Sequence, residues 1–221
     1  MDELVKGFLS YLTVRKASNT VKSYRTDLFQ FVRYLQANGI FSLSEANSGH
    51  IDGFITSLNL SRTSLSRKLA AISSFFRYLK RQKLILSNPV DDVEPIKIRR
   101  KKPDFLSLDE IRLLRHHSSK ESLIVIEFLL STGIRVSELC SLNLRDISFE
   151  KREATVTGKG NKQRTVIFSK NCSMLLREYV SGSKSEALFT NKKGRRITPN
   201  MVYYRIRRLG ESVLRRRIHP H

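Results

Sequence analysis

Three things are scarce in this 221-residue sequence: long apolar runs, cysteine and acidic side chains. No stretch approaches the ~20 apolar residues that a membrane-spanning helix needs, so no membrane partner is expected. The opening Met1-Asp2-Glu3-Leu4 is acidic and has no signal-peptide pattern. The two cysteines, Cys140 and Cys172, lie far apart, with neither CxxC nor zinc-ligand spacing. That argues against a disulfide framework or a zinc module and fits a reducing cytosol, with both thiols as small core residues. Histidine is also sparse. His116-His117 and His219-Pro220-His221 have no acidic or cysteine partner at ligand spacing, so no metal site is expected.

Acid is the most informative shortage. There are 20 Asp and Glu against 41 Lys and Arg, a net charge of +21. Such a surface attracts a polyanion, and nucleic acid is the commonest one. Nonspecific binding to RNA or an acidic membrane is the competing reading. Residues 1–100 hold 16 basic and 8 acidic side chains, and residues 101–221 hold 25 and 12. Both halves are therefore basic, unlike a neutral domain with a charged tail.

Hydrophobic residues make up 40% of the chain, enough for a core. The expected fold class is mainly α. An N-terminal four-helix bundle is expected to precede a mainly helical domain with a small three-stranded antiparallel sheet. The bundle spans residues 1–86. Leu4, Phe8 and Leu12 repeat at helical spacing. A second helix, capped by Ser18 or Asn19 and ended by Gly39, carries the stripe Tyr24, Leu28, Phe31 and Leu35. A short helix over Ile51–Leu58 follows. A fourth, from Arg62 to Lys83, buries Leu69, Ile72, Phe75, Phe76 and Leu79. Residues 87–105 have three prolines, a basic run and no apolar periodicity, and read as a linker. That run is either a solvated tether or a phosphate contact. The second domain, residues 106–221, opens with a capping box, Ser107-x-x-Glu110. A helix through Leu123–Leu130 breaks at Gly133, and a short one follows at Val136–Leu142. Strands are predicted at Ile147–Phe149, Ala154–Thr157 and Thr165–Phe168, then helices at Ser169–Val180 and Pro199–Leu214.

Two segments can carry chemistry. Gly133 lets one helix end and another begin at once, placing Arg135 in the first turn of the new helix. A guanidinium beside free N–H groups there suits a phosphate. An ordinary surface pair with Glu138, three residues on, is the other reading. The hairpin tip Gly158-Lys159-Gly160-Asn161-Lys162 adds Arg164 to two lysines. Its glycines let it approach a backbone closely, and a lysine there can meet a phosphate or protonate a leaving oxygen. Taken alone, the tip is more simply a plain basic hairpin.

Together, Leu129-Leu130-Ser131-Thr132-Gly133-Ile134-Arg135-Val136-Ser137-Glu138-Leu139 and Gly158-Lys159-Gly160-Asn161-Lys162-Gln163-Arg164 resemble the catalytic domain of Xer-type tyrosine recombinases. The gap of 24 residues from Arg135 to Lys159 matches that family, and Pro220-His221 resembles the start of its His-x-x-Arg box. Asn19–Leu35, Ser66–Leu79 and Asn88-Pro89 resemble its N-terminal DNA-binding domain and linker entry. The resemblance implies a site-specific recombinase working through a 3′-phosphotyrosyl intermediate, with Arg135, Lys159 and His221 as catalytic residues and neither metal nor other cofactor. Glu138 is then expected to orient Arg135.

The resemblance also implies an Arg, a second His or Trp and a nucleophilic Tyr after His221, and none follows. None of the seven tyrosines has the nucleophile's context. The chain is expected to be truncated, binding DNA without cleaving it. The alternative is a noncatalytic DNA-binding regulator or decoy derived from a recombinase. The expected partner is double-stranded DNA, held between two basic domains. The family self-associates to dimer or tetramer on DNA, and that step is expected to be weakened here. Expected DNA contacts are Lys22, Arg25, Arg62, Ser64, Arg67 and Lys68 in the first domain. In the second they are Lys162, Arg164, Arg195, Tyr204, Arg205, Arg207 and Arg208.

Overall fold

A computed structural model describes residues 1–98, 104–158, 160–183 and 185–220. The chain forms two compact units, Met1–Lys102 and Pro103–His221. No helix among the described residues is long and apolar enough to cross a membrane.

The first unit is built from α1 (Asp2–Thr13), α2 (Ser18–Ala37), α3 (Ser48–Ser57) and α4 (Arg62–Arg81). Its core takes the predicted stripes: Leu28, Phe31 and Leu35 from α2 meet Ile72, Phe75, Phe76 and Leu79 from α4, with Phe8 from α1 and Phe54 from α3. Burying large aromatics this way supplies most of the drive for packing. Helix ends differ from the sequence reading where the backbone turns left-handed. Lys83 has φ 59°, so α4 stops at Arg81 and its last turn closes through Leu84 N–H to Leu79 O, 3.0 Å. Ala17, not Ser18 or Asn19, stands at the α2 N-cap, and no side chain caps it. At α3 the cap is Asn47, whose Oδ1 accepts the His50 N–H. The segment expected to be a linker begins as part of this unit: Val90 is buried in the core and Val93 and Ile96 pack against it. The basic run from Arg99 to Pro103 lies outside the described residues.

The second unit holds α5 (Leu108–His116), α6 (Lys120–Thr132), α7 (Val136–Ser141), a 3-10 turn at Leu144–Asp146, β1 (Ile147–Ser148), β2 (Glu153–Thr157), β3 (Gln163–Ile167), α8 (Lys170–Val180) and α9 (Pro199–Val213). The capping box at Ser107 and Glu110 forms as predicted. The three strands are antiparallel in the order β1-β2-β3, each within a residue or two of its predicted place, with Thr157 opposite Gln163 at the hairpin end. Ala154 and Val156 face the core beside Phe128, Phe168 and Phe189. Cys140 and Cys172 are buried free thiols, and burial pushes both up to about 11. After α9 the chain folds back: Arg215 has φ 54°, and Ile218 packs so closely on Gly210 that a β-carbon there would stand 2.5 Å from Ile218 Cγ1. Arg216 locks this return by bonding Glu110 and Asp104.

Candidate active site and nucleic-acid interface

The break at Gly133 works as its residue type suggests. Gly133 has φ 63°, a conformation glycine adopts without strain, and its N–H donates to Leu129 O at 2.9 Å to finish α6. Ile134 then drops into the core, and Arg135 arrives at the start of α7. It stands one position earlier than expected, at the N-cap rather than in the first turn. At this position its own N–H, as well as its side chain, meets Glu138. Glu138 accepts the Arg135 backbone N–H at 2.8 Å and its guanidinium at 3.0 Å. The Arg135 side chain nevertheless stays 66% exposed.

Glu138 is only 3% exposed and is shared. From β3, Arg164 donates through both terminal nitrogens, 2.9 Å to each carboxylate oxygen. The Arg164 bonds foremost, with those of Arg135 behind them, hold Glu138 down to about 2 against the opposing effect of burial. Gly158, just after β2, lies beside this pair. Gly158 N–H donates to Lys162 O at 2.8 Å, and the turn closes with positive φ at Gly160 and Asn161. Lys159 and His221 lie outside the described residues.

Arg135 also borders an apolar groove of about 450 Å³, lined by Phe105, Leu129, Leu130, Ile134, Ile206 and Pro220 among others. No tyrosine among the described residues lines it. Nor does any group of three or more His, Cys, Asp or Glu among the described residues suit a metal ion.

The expected DNA contacts divide. In the first unit Lys22, Arg25 and Arg62 are exposed. Ser64 is half-buried, its hydroxyl 3.0 Å from that of the α4 cap Ser61. Lys68 is a correction: it is buried, with Nζ donating to Asp27 at 2.8 Å and Gln30 at 2.6 Å. Asp27, 1% exposed, draws it inward because a buried carboxylate needs cationic partners. Arg67 is paired with the same carboxylate. Asp27 was the missed signal, standing beside Tyr24, Leu28 and Phe31 in an otherwise apolar stripe.

In the second unit Lys162, Arg195, Tyr204 and Arg208 are exposed, with the Arg208 guanidinium 5.8 Å from the Tyr204 ring. Arg164 is turned onto Glu138. Arg205 is half-buried and donates to Glu121 O at 3.2 Å, tying α9 to α6. Arg207 pairs with Glu211 one turn on. Arg196 braces the core by donating to the carbonyls of Cys140 and Leu142.

These elements match known proteins. Residues 104–221 match the phage integrase family and residues 5–83 its N-terminal SAM-like domain. A tyrosine recombinase of Pseudothermotoga lettingae is 34% identical, with 100% of this chain aligned to 81% of that protein. The tyrosine recombinase XerC of Lacticaseibacillus casei is also 34% identical, over 98% of this chain and 80% of its own length. A lambda integrase dimer bound to a COC′ core site shares the fold, with a TM-score of 0.80 at 14% identity, covering 99% of this chain and 83% of that one. The chain belongs to the phage integrase family of tyrosine recombinases. That family carries out site-specific DNA recombination by a phosphotyrosyl mechanism.

Proposed function

We propose that this chain binds double-stranded DNA at a recombination site and supplies the cationic half of the strand-exchange centre. The observation that carries this reading is the Arg135 guanidinium, exposed at the rim of an apolar groove and oriented by a carboxylate that also touches the lysine hairpin. In phosphodiester exchange, negative charge grows on the nonbridging oxygens. Arg135 neutralises it through paired hydrogen bonds. Lys159 protonates the departing 5′ oxygen, and His221 hydrogen-bonds the scissile phosphate or helps move the nucleophile's proton. Lys22, Arg25, Arg62, Lys162, Arg195, Tyr204 and Arg208 grip the duplex, with phosphate contacts setting position and one or two reaching base edges. Self-association to a dimer or tetramer takes place on DNA, and the cytoplasm is the setting.

We further infer that the 221-residue polypeptide, taken alone, holds DNA without joining it. Tyr179 donates its hydroxyl to Thr190 O, Tyr203 packs on the core, and no described tyrosine reaches the Arg135 groove. A nicked suicide duplex tests this: binding without a denaturation-resistant adduct is expected, and an adduct overturns it. Affinity should fall roughly 10³–10⁵-fold between 50 and 200 mM salt if ~6–10 phosphates are neutralised. Fluorescence anisotropy across that range reads the slope, and a nearly salt-independent interaction would sink the DNA reading.

A further inference from the structure

Arg164 has no part in the chemistry above, yet it grips Glu138 with two guanidinium bonds where Arg135 contributes one and a backbone N–H. A two-pronged pair fixes orientation as well as distance. Glu138 is thereby held from two elements, the start of α7 and strand β3. Gly158 lies against the same pair. A β-carbon there would stand 3.1 Å from Glu138 Oε1 and 3.2 Å from an Arg164 terminal nitrogen, tighter than ordinary contact. Gly158 therefore leaves little room between itself and the carboxylate that pairs with Arg135.

We infer that Arg164 is a positioning residue: by fixing the Glu138 carboxylate, it sets the Arg135 guanidinium and Gly158 in one register. The inference rests on the reading of Arg135 and Lys159 as the phosphate-handling cations. It places Arg164 inside the site, not on a DNA phosphate. The rival account is that Arg164 merely neutralises a buried charge. The two differ in what lysine can do, because lysine supplies the charge without the planar fork.

The test uses the isotopically labelled 221-residue protein. Two signals are followed, amide exchange at Gly158 and the Arg135 Nε–H resonance, in Arg164→Lys, Arg164→Gln and Gly158→Ala. Amides of α6 serve as the folding control. Positioning predicts that Gly158 exchanges about tenfold faster or more in both Arg164 variants, reporting local opening. It also predicts that the Arg135 signal moves toward that of a free arginine. Full rescue by lysine would overturn the inference in favour of charge neutralisation, as would unchanged signals in both variants. Gly158→Ala keeps every charge, so it tests the linkage even if the Arg164 variants unfold. It should shift the Arg135 resonance, and no shift breaks the link. A separate measurement isolates the underlying reading. If the linkage appears but Arg135→Ala leaves DNA affinity unchanged, the register stands and its assignment to phosphate chemistry falls.

Discussion

Asp27 and Glu138 are both carboxylates drawn inside the protein, and each is met by two cations. In the first unit, Arg67 and Lys68 come from α4 to a carboxylate on α2. In the second, Arg135 and Arg164 come from a helix start and a strand to a carboxylate on α7. The difference lies in what the cations can still do. The Lys68 side chain is 6% exposed, and its ammonium is spent on Asp27 and Gln30. Arg135 bonds Glu138 yet keeps most of its side chain in solvent. The first arrangement staples two helices. The second holds a charge in place and leaves it available. Pairing alone therefore does not say whether a cation stays open to solvent: Arg67 on the same Asp27 is 45% exposed where Lys68 is 6%.

The sharpest way to break this comparison is to remove each carboxylate. Asp27→Ala leaves the Lys68 ammonium buried without its partner. It should cost about 3–5 kcal/mol, read by urea unfolding, because stranding a buried charge is far worse than losing a surface pair. Should Asp27→Ala prove nearly neutral, Lys68 has another outlet and the staple reading fails. Acid provides the second test. Glu138 is held at about 2 in the folded protein against 4.5 for the ordinary carboxylate. Its contribution is therefore complete above pH 4.5 and is lost as pH falls toward 2. The expected size is roughly 3 kcal/mol. Comparing acid unfolding of the parent with Glu138→Gln isolates it. Superimposable acid limbs would mean that the two arginines do not stabilise the charged form.

Smaller effects sharpen the contrast. Arg135→Ala should shift stability by about 1 kcal/mol or less, since Arg164 still holds Glu138 and the lost cation was largely hydrated. The same change should weaken DNA binding by roughly tenfold at most, one phosphate contact among many, measurable by anisotropy at fixed salt. A large stability loss with unaltered DNA binding would make Arg135 another staple and erase the distinction.

Much of the architecture was readable because local patterns agreed with the final packing. The stripes on α2 and α4, the capping box at Ser107 and the glycine hairpin all act over a few residues, and all form. Element ends were less legible. The left-handed turn at Lys83 that stops α4 carries no glycine or proline to announce it. The chemistry divided in the same way. Arg135 and Glu138 sit three apart, and their pairing could be foreseen. Arg164 reaches Glu138 across 26 residues, Lys68 reaches Asp27 across 41 and Arg205 reaches Glu121 across 84. Cationic side chains look alike in sequence, and only tertiary folding decides which are turned inward. Lys68, buried on Asp27, was read as a DNA contact for that reason.

The two cysteines have a practical consequence. Both thiols are buried and stay protonated well above neutral pH. Thiol-directed dyes react through the thiolate at accessible sulfur, so the native protein should remain unlabelled under ordinary coupling conditions. A single Lys162→Cys substitution would then offer one reactive handle at the hairpin tip, with no need to remove either natural cysteine. A dye there would report by fluorescence whether a duplex is bound beside the hairpin, in a chain altered only at that position.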